Sequence, residues 1–398
     1  MIKQIIGSII LISLFISCSD SLTLTSPISD LSISTDGFGS STVGSGEKPS
    51  ANIPDNGPSD HSGLITAAEW NDLDSWTFWT DLINGSDYSD KPDYWEFYNH
   101  HRVAINLTHN GQAVVDADVA LMKDNNEIWK AKSDNRGNAE VWINMFESSD
   151  INDLSDYHVT VNGVRIDQDL RLYQDGINDI SLNTASSHSN KVELCFIVDA
   201  TGSMGDELEF LKDDLEDVIN VVLADNSSLV IHTASVFYRD VEDEYVTRVS
   251  NFSDDFMETI DFIRDQRADG GGDTPEAVHS ALDKAIDKLQ WSQHARTRIA
   301  FLLLDAPPHH EPQVVNDLQK SIELAAKKGI KIIPITASGI DKETEFLMRF
   351  FSIATNGTYV FITDDSGIGN DHLEASVGDY EVQFLNDLMV RLIQKYTQ

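Results

Sequence analysis

The spacing of apolar positions changes several times along the 398-residue chain, and each change marks a part of it. Residues 5–16 are mainly apolar behind a single cation, Lys3. A bilayer core of ~30 Å needs ~20 such residues, so this stretch suits a signal peptide and not a membrane span. Residues 19–62 are Ser, Thr, Gly, Pro and Asp with scattered Leu and Ile. They show no period and too little apolar content to offset chain entropy, which predicts a flexible tether. From Arg102 the pattern has period two, broken by turn signals at Asn110-Gly111, Asn125-Asn126 and 135–137. With further strands at 157–164 and 176–182, it predicts a sandwich of about 80 residues built from short antiparallel strands.

After Ser189 short apolar runs alternate with segments of helical period. Strands are expected at 192–198 (VELCFIV), 229–238, 245–249, 299–304 (IAFLLL), 331–336 and 358–362. Runs that are apolar on both faces fit buried parallel strands. Helices are expected at 206–223, 254–263, 275–289, 314–327, 344–354 and 380–396, the first with Leu208, Leu211, Leu215, Val218, Ile219 and Val222 on one face. The expected fold is α/β, a doubly wound, mostly parallel sheet with right-handed crossovers, preceded by an N-terminal antiparallel β-sandwich. The divisions are a signal peptide at 1–17, a tether at 18–62, a Trp-rich segment at 63–97, the sandwich at 98–184 and the α/β part at 190–398. The Trp-rich segment carries Trp70, Trp76, Trp79 and Trp95, which suit either packing against the next domain or a sugar platform.

Composition narrows the partners. The hydrophobic share of 41% supports a sizeable core, and the formal net charge is -38, from 28 Lys plus Arg against 66 Asp plus Glu. A field of that sign repels phosphate backbones, which argues against nucleic acid and anionic membrane surfaces and in favour of divalent cations and basic partner surfaces. The same acidity also fits a simple solubility adaptation. Two cysteines, Cys18 and Cys195, cannot make a disulfide framework, and Cys195 lies in a strand expected to be buried.

Phe15-Ile16-Ser17-Cys18 ends the apolar stretch. It resembles the lipobox of bacterial lipoproteins, with Phe15 where leucine is usual. That resemblance implies cleavage before Cys18, lipidation of its thiol and an outer-membrane lipoprotein of the bacterial envelope, periplasmic or surface-exposed, with lipid as its only membrane contact. The phrasing around Asn110-Gly111 and Asn135-Gly137 resembles carboxypeptidase-regulatory-like and other Ig-like modules of bacterial surface proteins. Such modules usually serve as spacers.

In doubly wound sheets ligands bind beyond the carboxyl ends of the strands, so the loops there carry the chemistry. Asp199-Ala200-Thr201-Gly202-Ser203-Met204-Gly205-Asp206-Glu207 follows the first strand. Gly270-Gly271-Gly272-Asp273-Thr274-Pro275-Glu276 follows the region near 265, and Asp305-Ala306-Pro307-Pro308-His309-His310 follows strand 299–304. Together they offer carboxylates from Asp199, Asp273, Glu276 and Asp305, and hydroxyls from Thr201, Ser203 and Thr274. Hard oxygen donors without cysteine suit Mg²⁺, Ca²⁺ or Mn²⁺ better than zinc or copper. Alternate positions 199, 201 and 203 point the same way in an extended loop. Asp199, Asp273, Glu276 and Asp305 also suit helix caps, and Asp206 and Glu207 suit the first turn of a helix without any metal. At most one of His309 and His310 could face the same site, because adjacent side chains in an extended loop diverge.

Asp199-x-Thr201-x-Ser203 with Asp305 after a buried strand resembles the metal-ion-dependent adhesion site of von Willebrand factor type A (VWA) domains, over residues 190–398. The glycine loop departs from the commoner Gly-Gly-Thr-x-Thr, since Gly272 stands where the ligand threonine is expected. Asp273-Thr274-Pro275-Glu276 instead resembles the loop of integrin β-subunit and hemicentin-like domains. That implies Glu276 on the central cation and Asp273 near a neighbouring one, with Asp206 and Glu207 as a possible adjacent cation site. The resemblance implies a non-enzymatic envelope protein that bridges through its cation to an Asp or Glu of a protein ligand. It also implies a last helix, 380–396, that shifts on binding. The alternatives are a scaffold with a purely structural metal and a metal-dependent hydrolase; no nucleophile pair or Lys/Arg phosphate clamp near these loops supports the latter.

Overall fold

A computed structural model describes residues 63–398 except 152, 186–188, 226, 227, 273 and 368–371. The expected signal peptide, Cys18, the tether and Asp273 lie outside the described residues. The chain runs β1 (Thr66–Trp70), α1 (Trp76–Ile83), α2 (Lys91–Trp95), β2 (His101–His109), β3 (Gln112–Ala113), β4 (Asp118–Lys123), β5 (Asn126–Lys132) and β6 (Asn138–Ile143). It continues with β7 (Tyr157–Val161), β8 (Val164–Arg165), β9 (Asn178–Ser181), β10 (Lys191–Asp199), α3 (Leu208–Asp225), β11 (Val230–Tyr238) and β12 (Thr247–Ser253). Then follow α4 (Phe256–Arg264), α5 (Val278–Leu282), β13 (Thr297–Leu304), α6 (Pro312–Lys328), β14 (Ile330–Thr336), α7 (Lys342–Ala354), β15 (Tyr359–Ile362), β16 (Gln383–Phe384) and α8 (Leu385–Thr397).

The main sheet has the order β12-β11-β10-β13-β14-β15-β1-β16. Strands β11, β10, β13, β14 and β15 are parallel, as expected for repeated β-α units. β12, β1 and β16 add antiparallel edges. Alternation along β13 shows why such strands read as continuous apolar runs. Ala300, Leu302 and Leu304 pack with α5, α6 and α7 on one face, and Ile299, Phe301 and Leu303 with α3, α4 and α8 on the other. The six apolar residues expected on one face of α3 are all buried there.

β1 is the main surprise. It comes from the Trp-rich segment, yet Ala67 pairs with Ile362 and Ala68 with Phe361 inside the α/β sheet. The tryptophans behind it pack inward: Trp79 stacks on Phe346 of α7 at 5.6 Å, and Trp76 meets Trp142 at 5.8 Å. A buried charge network fixes the same junction. Arg349 of α7 donates to Asp72 at 2.6 and 3.0 Å and faces Glu345, which accepts from Tyr88 Oη at 2.7 Å.

The stretch expected as an antiparallel sandwich forms two four-stranded sheets, β3-β2-β6 with β9, and β5-β4-β7-β8. All pairs are antiparallel except β2–β9, which is parallel. Their inward residues, among them Val103, Val141, Leu121 and Val159, join the same hydrophobic cluster as α6 and α7. Residues 63–398 accordingly fall in one compact unit.

Two helices depart from expectation. The helix expected at 275–289 starts at Val278 and continues as a π-helical turn over Asp283–Lys288. Its first residues are held in a bridge instead, with the Glu276 amide donating to the Pro307 carbonyl at 2.9 Å. The last helix starts at Leu385 and not at 380, because Gln383 and Phe384 pair with Ala67 and Thr66 of β1.

Candidate metal centre

Asp199 ends β10 and is fully buried, as is Thr201. The chain turns at once, so the Asp199 carboxylate becomes the acceptor for the turn that follows. Its Oδ1 accepts from the Thr201 amide at 2.9 Å and from Thr201 Oγ1 at 2.8 Å. Thr201 Oγ1 lies 3.1 Å from Ser203 Oγ, so the Asp-x-Thr-x-Ser spacing does line up three oxygens. A short 3-10 turn, Gly202–Asp206, then leads into α3, with Met204 buried beneath it.

Two further carboxylates face this row. Asp305 follows β13, the strand beside β10, and is 5% exposed. Glu276 is 2% exposed and comes from the glycine loop. That loop approaches closely: a Cβ on Gly271, whose φ is +61°, would stand 2.8 Å from Glu276 Oε1 and 2.9 Å from Thr201 Cβ. Only glycine takes both that backbone and that contact without strain. The Gly202 amide also donates to the Gly270 carbonyl at 3.1 Å, tying the first two loops together.

Electrostatically the site is uncompensated. Burial, reinforced by the Asp305 charge, pushes the Asp199 carboxyl up to about 7, even though the Thr201 hydrogen bonds act the other way. Burial and the charges of Asp199, Asp240, Asp243 and Asp305 push Glu276 up to about 9. Tyr238, buried at the end of β11, is held well above its usual range by burial and then by Asp199 and Asp305. Among the described residues, Asp199 Oδ2 and Glu276 Oε2 are buried without a hydrogen-bond partner. Buried polar oxygens are normally satisfied, and carboxylates gathered this way normally face a cation.

Asp240 and Asp243 were not among the expected site residues. They follow β11, a third strand ending at the same edge of the sheet, and the acid-rich run Asp240-Val241-Glu242-Asp243-Glu244 was the available signal. Asp243 Oδ2 accepts from the Gly271 amide at 2.9 Å and the Asp240 amide at 3.0 Å, so it shapes the glycine loop. His309 lies 2.6 Å from Asp240 Oδ1 through Nε2, whereas His310 turns away to stack on Tyr94. Glu207 is buried, with Oε1 accepting from Ser338 Oγ at 2.7 Å and lying 3.3 Å from His372. Thr274 is exposed.

The donor set fits a hard divalent cation: Asp199, Glu276 and Asp305 carboxylates with the Thr201 and Ser203 hydroxyls, all oxygen, two of them orphaned in the interior. Among the described residues no three His, Cys, Asp or Glu side chains gather as a ready ligand group, so the hydroxyls would have to share the coordination.

Residues 193–367 match the family model of the von Willebrand factor A domain. An ariadne-like RING finger protein of Acanthamoeba polyphaga mimivirus is 34% identical over 131 residues, 33% of this chain and 12% of that protein. An alpha-protein kinase of Dictyostelium discoideum is 35% identical over 123 residues, 30% of this chain and 19% of that protein. The chain thus spans under a fifth of the length of these relatives. Among solved structures, BatB from Bacteroides thetaiotaomicron aligns with 14% identity and a TM-score of 0.33, covering 52% of this chain and 98% of its own. An aerotolerance-related membrane protein from Bacteroides fragilis aligns with 13% identity and a TM-score of 0.32, over 51% and 99%. Family match and strand topology meet in one region: residues 193–367, which match the von Willebrand factor A domain model, hold the parallel core of the main sheet.

Proposed function

We propose that this is a bacterial envelope protein whose VWA domain binds Mg²⁺, Ca²⁺ or Mn²⁺ and receives an acidic group of a protein ligand there. The observation that carries the reading is the set of buried, unpartnered carboxylate oxygens of Asp199 and Glu276 beside Asp305, at the carboxyl end of the sheet. Asp199, Thr201, Ser203, Glu276 and Asp305 would hold the ion, with Asp273 beside them and Asp206 with Glu207 as a possible second site. A bound divalent cation supplies an open coordination position at which a partner carboxylate replaces water. Thr201 orients Asp199 through two hydrogen bonds, and the Gly271 backbone admits Glu276. Exposed Ser203 stands where a partner can reach the site.

Binding and not turnover suits these residues. Arg239, the arginine beside the loops, donates to the Ala200 and Arg267 carbonyls and is not presented to a substrate. The apolar N-terminus and Cys18 support an envelope location with a lipid anchor, and no helix among the described residues is long and apolar enough to cross a membrane.

The test is a calorimetric titration of the metal-stripped chain with Mg²⁺, Ca²⁺ and Mn²⁺, repeated with a soluble carboxylate and with Asp199→Ala. Saturable binding lost in the variant supports the site. An absence of binding in both arms would refute the reading, and cation binding indifferent to any carboxylate would leave a scaffold with a structural metal.

A further inference from the structure

Beside the metal loops lies a groove of about 390 Å³, built by stretches far apart in sequence. Thr274 and Pro275 of the glycine loop and Pro307 and Pro308 after β13 form walls that continue directly from the site. The Glu276 amide bonds the Pro307 carbonyl, and Asp305 is two residues away. The opposite side is made by Tyr94 and Trp95 of α2, which lie outside residues 193–367, and by Asp341 and Glu343 at the start of α7.

The lining has a definite chemical character. Three prolines give apolar, conformationally stiff surface without amide donors. Tyr94 and His310 stack at 3.8 Å and 8°, and His310 Nε2 lies 2.6 Å from the Tyr94 carbonyl, so the aromatic platform is held firmly in place. Tyr94 is nonetheless 44% exposed. Asp341 and Glu343 supply negative charge. Asp341 Oδ1 accepts from the Thr344 amide and hydroxyl, while its Oδ2 accepts no hydrogen bond from the described residues. Glu343 shares its charge with Lys91 at 2.6 Å. After burial, the charges of Glu343 and Asp341 are what raise the Tyr94 hydroxyl, which marks the local potential as negative.

Apolar walls for an alkyl stem, with an aromatic face and carboxylates for a cationic head, describe the surroundings of a Lys or Arg side chain. We propose that the groove takes a Lys or Arg of the same protein partner whose acidic group the metal loops receive. The partner is thus read as an acid and a base carried close together on one extended segment. This rests on the function proposed above and deepens it, because the -38 net charge by itself favours basic partners without placing them.

The full chain is titrated with n-butylguanidinium and with its neutral isostere n-butylurea, following the Trp95 indole signal by NMR; Trp95 Nε1 donates to the Glu343 carbonyl at the groove. Saturable shifts are expected with the guanidinium alone, weakened at least about fivefold in Asp341→Asn/Glu343→Gln and unchanged in Asp199→Asn. Asparagine keeps the helix cap, so the double variant should remain folded. In Mg²⁺, a glycine-spaced peptide carrying Asp and Arg should bind about tenfold more tightly than the same peptide with citrulline for Arg. Equal binding of n-butylurea, or indifference to the double substitution, would overturn the groove proposal. Mg²⁺-dependent peptide binding without preference for Arg overturns it too and leaves the metal reading standing. Peptide binding that ignores Mg²⁺ overturns the metal reading and the paired recognition, even where n-butylguanidinium still titrates the groove.

Discussion

Asp199→Asn separates a cation site from a helix-capping aspartate by the sign of its effect. Asparagine keeps the Oδ1 acceptor for the Thr201 amide and hydroxyl, so the turn after β10 survives. What it removes is the buried charge of Asp199 itself, whose pKa beside Asp305 has moved from 3.8 to about 7. For a carboxyl raised in the folded state, stability is fully present below about pH 4 and is lost as the pH rises through about 7. At 1.36 kcal/mol per unit, the metal-free wild type carries a cost of about 4 kcal/mol at about pH 8 from this group. The variant should therefore be more stable than wild type in EDTA, by about 2–4 kcal/mol at that pH, and should lose the Asp199 share of the slope between about pH 4 and 7 while keeping that of Glu276. Cation should reverse the order, since a thousandfold excess over Kd adds about 4.1 kcal/mol to wild type and nothing to the variant. Urea melts followed by tryptophan fluorescence, in EDTA and in saturating Mg²⁺, read both signs. If Asp199→Asn were less stable in EDTA across the pH range the repulsion would be refuted, and if it gained as much from Mg²⁺ as wild type the site would be.

Gly271→Ala should lower cation affinity at least about tenfold and cost about 1–2 kcal/mol in metal-free stability, because a Cβ there meets Glu276 Oε1 and the backbone sits at φ +61°. Calorimetric titration and urea melts measure the two effects. Arg349→Met strands Asp72 and Glu345 in the interior and should cost about 3–5 kcal/mol, read by thermal and urea unfolding. Lys331 titrates at about 8 because burial outweighs the help of Asp134. The unfolded chain then holds more protons between about pH 8 and 10.4, so stability from this group rises across that window, a rise that Lys331→Met should abolish in melts against pH.

Much of the site is legible in the amino-acid sequence because its signals are local. Alternation of period two places Asp199, Thr201 and Ser203 on one side of an extended loop, and their oxygens do line up. Buried apolar runs such as 299–304 announce parallel strands, and in a parallel sheet their carboxyl ends share one edge, which brings Asp305 beside Asp199. Asp240 and Asp243 are equally local in sequence, but a run of acids in a loop looks like solvated surface until the loop is seen to support Gly271.

Other features were decided only by the tertiary structure. Five residues, Thr66–Trp70, have no pattern that names a partner strand nearly three hundred residues away, yet they complete the α/β sheet between β15 and β16. The same pairing draws Gln383–Phe384 into β16, and α8 begins only after it. The start of α5 gave way to a backbone bridge with Pro308, and a groove formed where α2, the proline loop and α7 converge. Periodicity and turn chemistry depend on neighbours a few residues apart, so the chain alone determines which residues form strands, helices and ligand-bearing loops. Which strand lies beside which, and which carboxylates end up facing one another without a counter-charge, depends on how distant apolar faces are covered. That is a property of the packed whole.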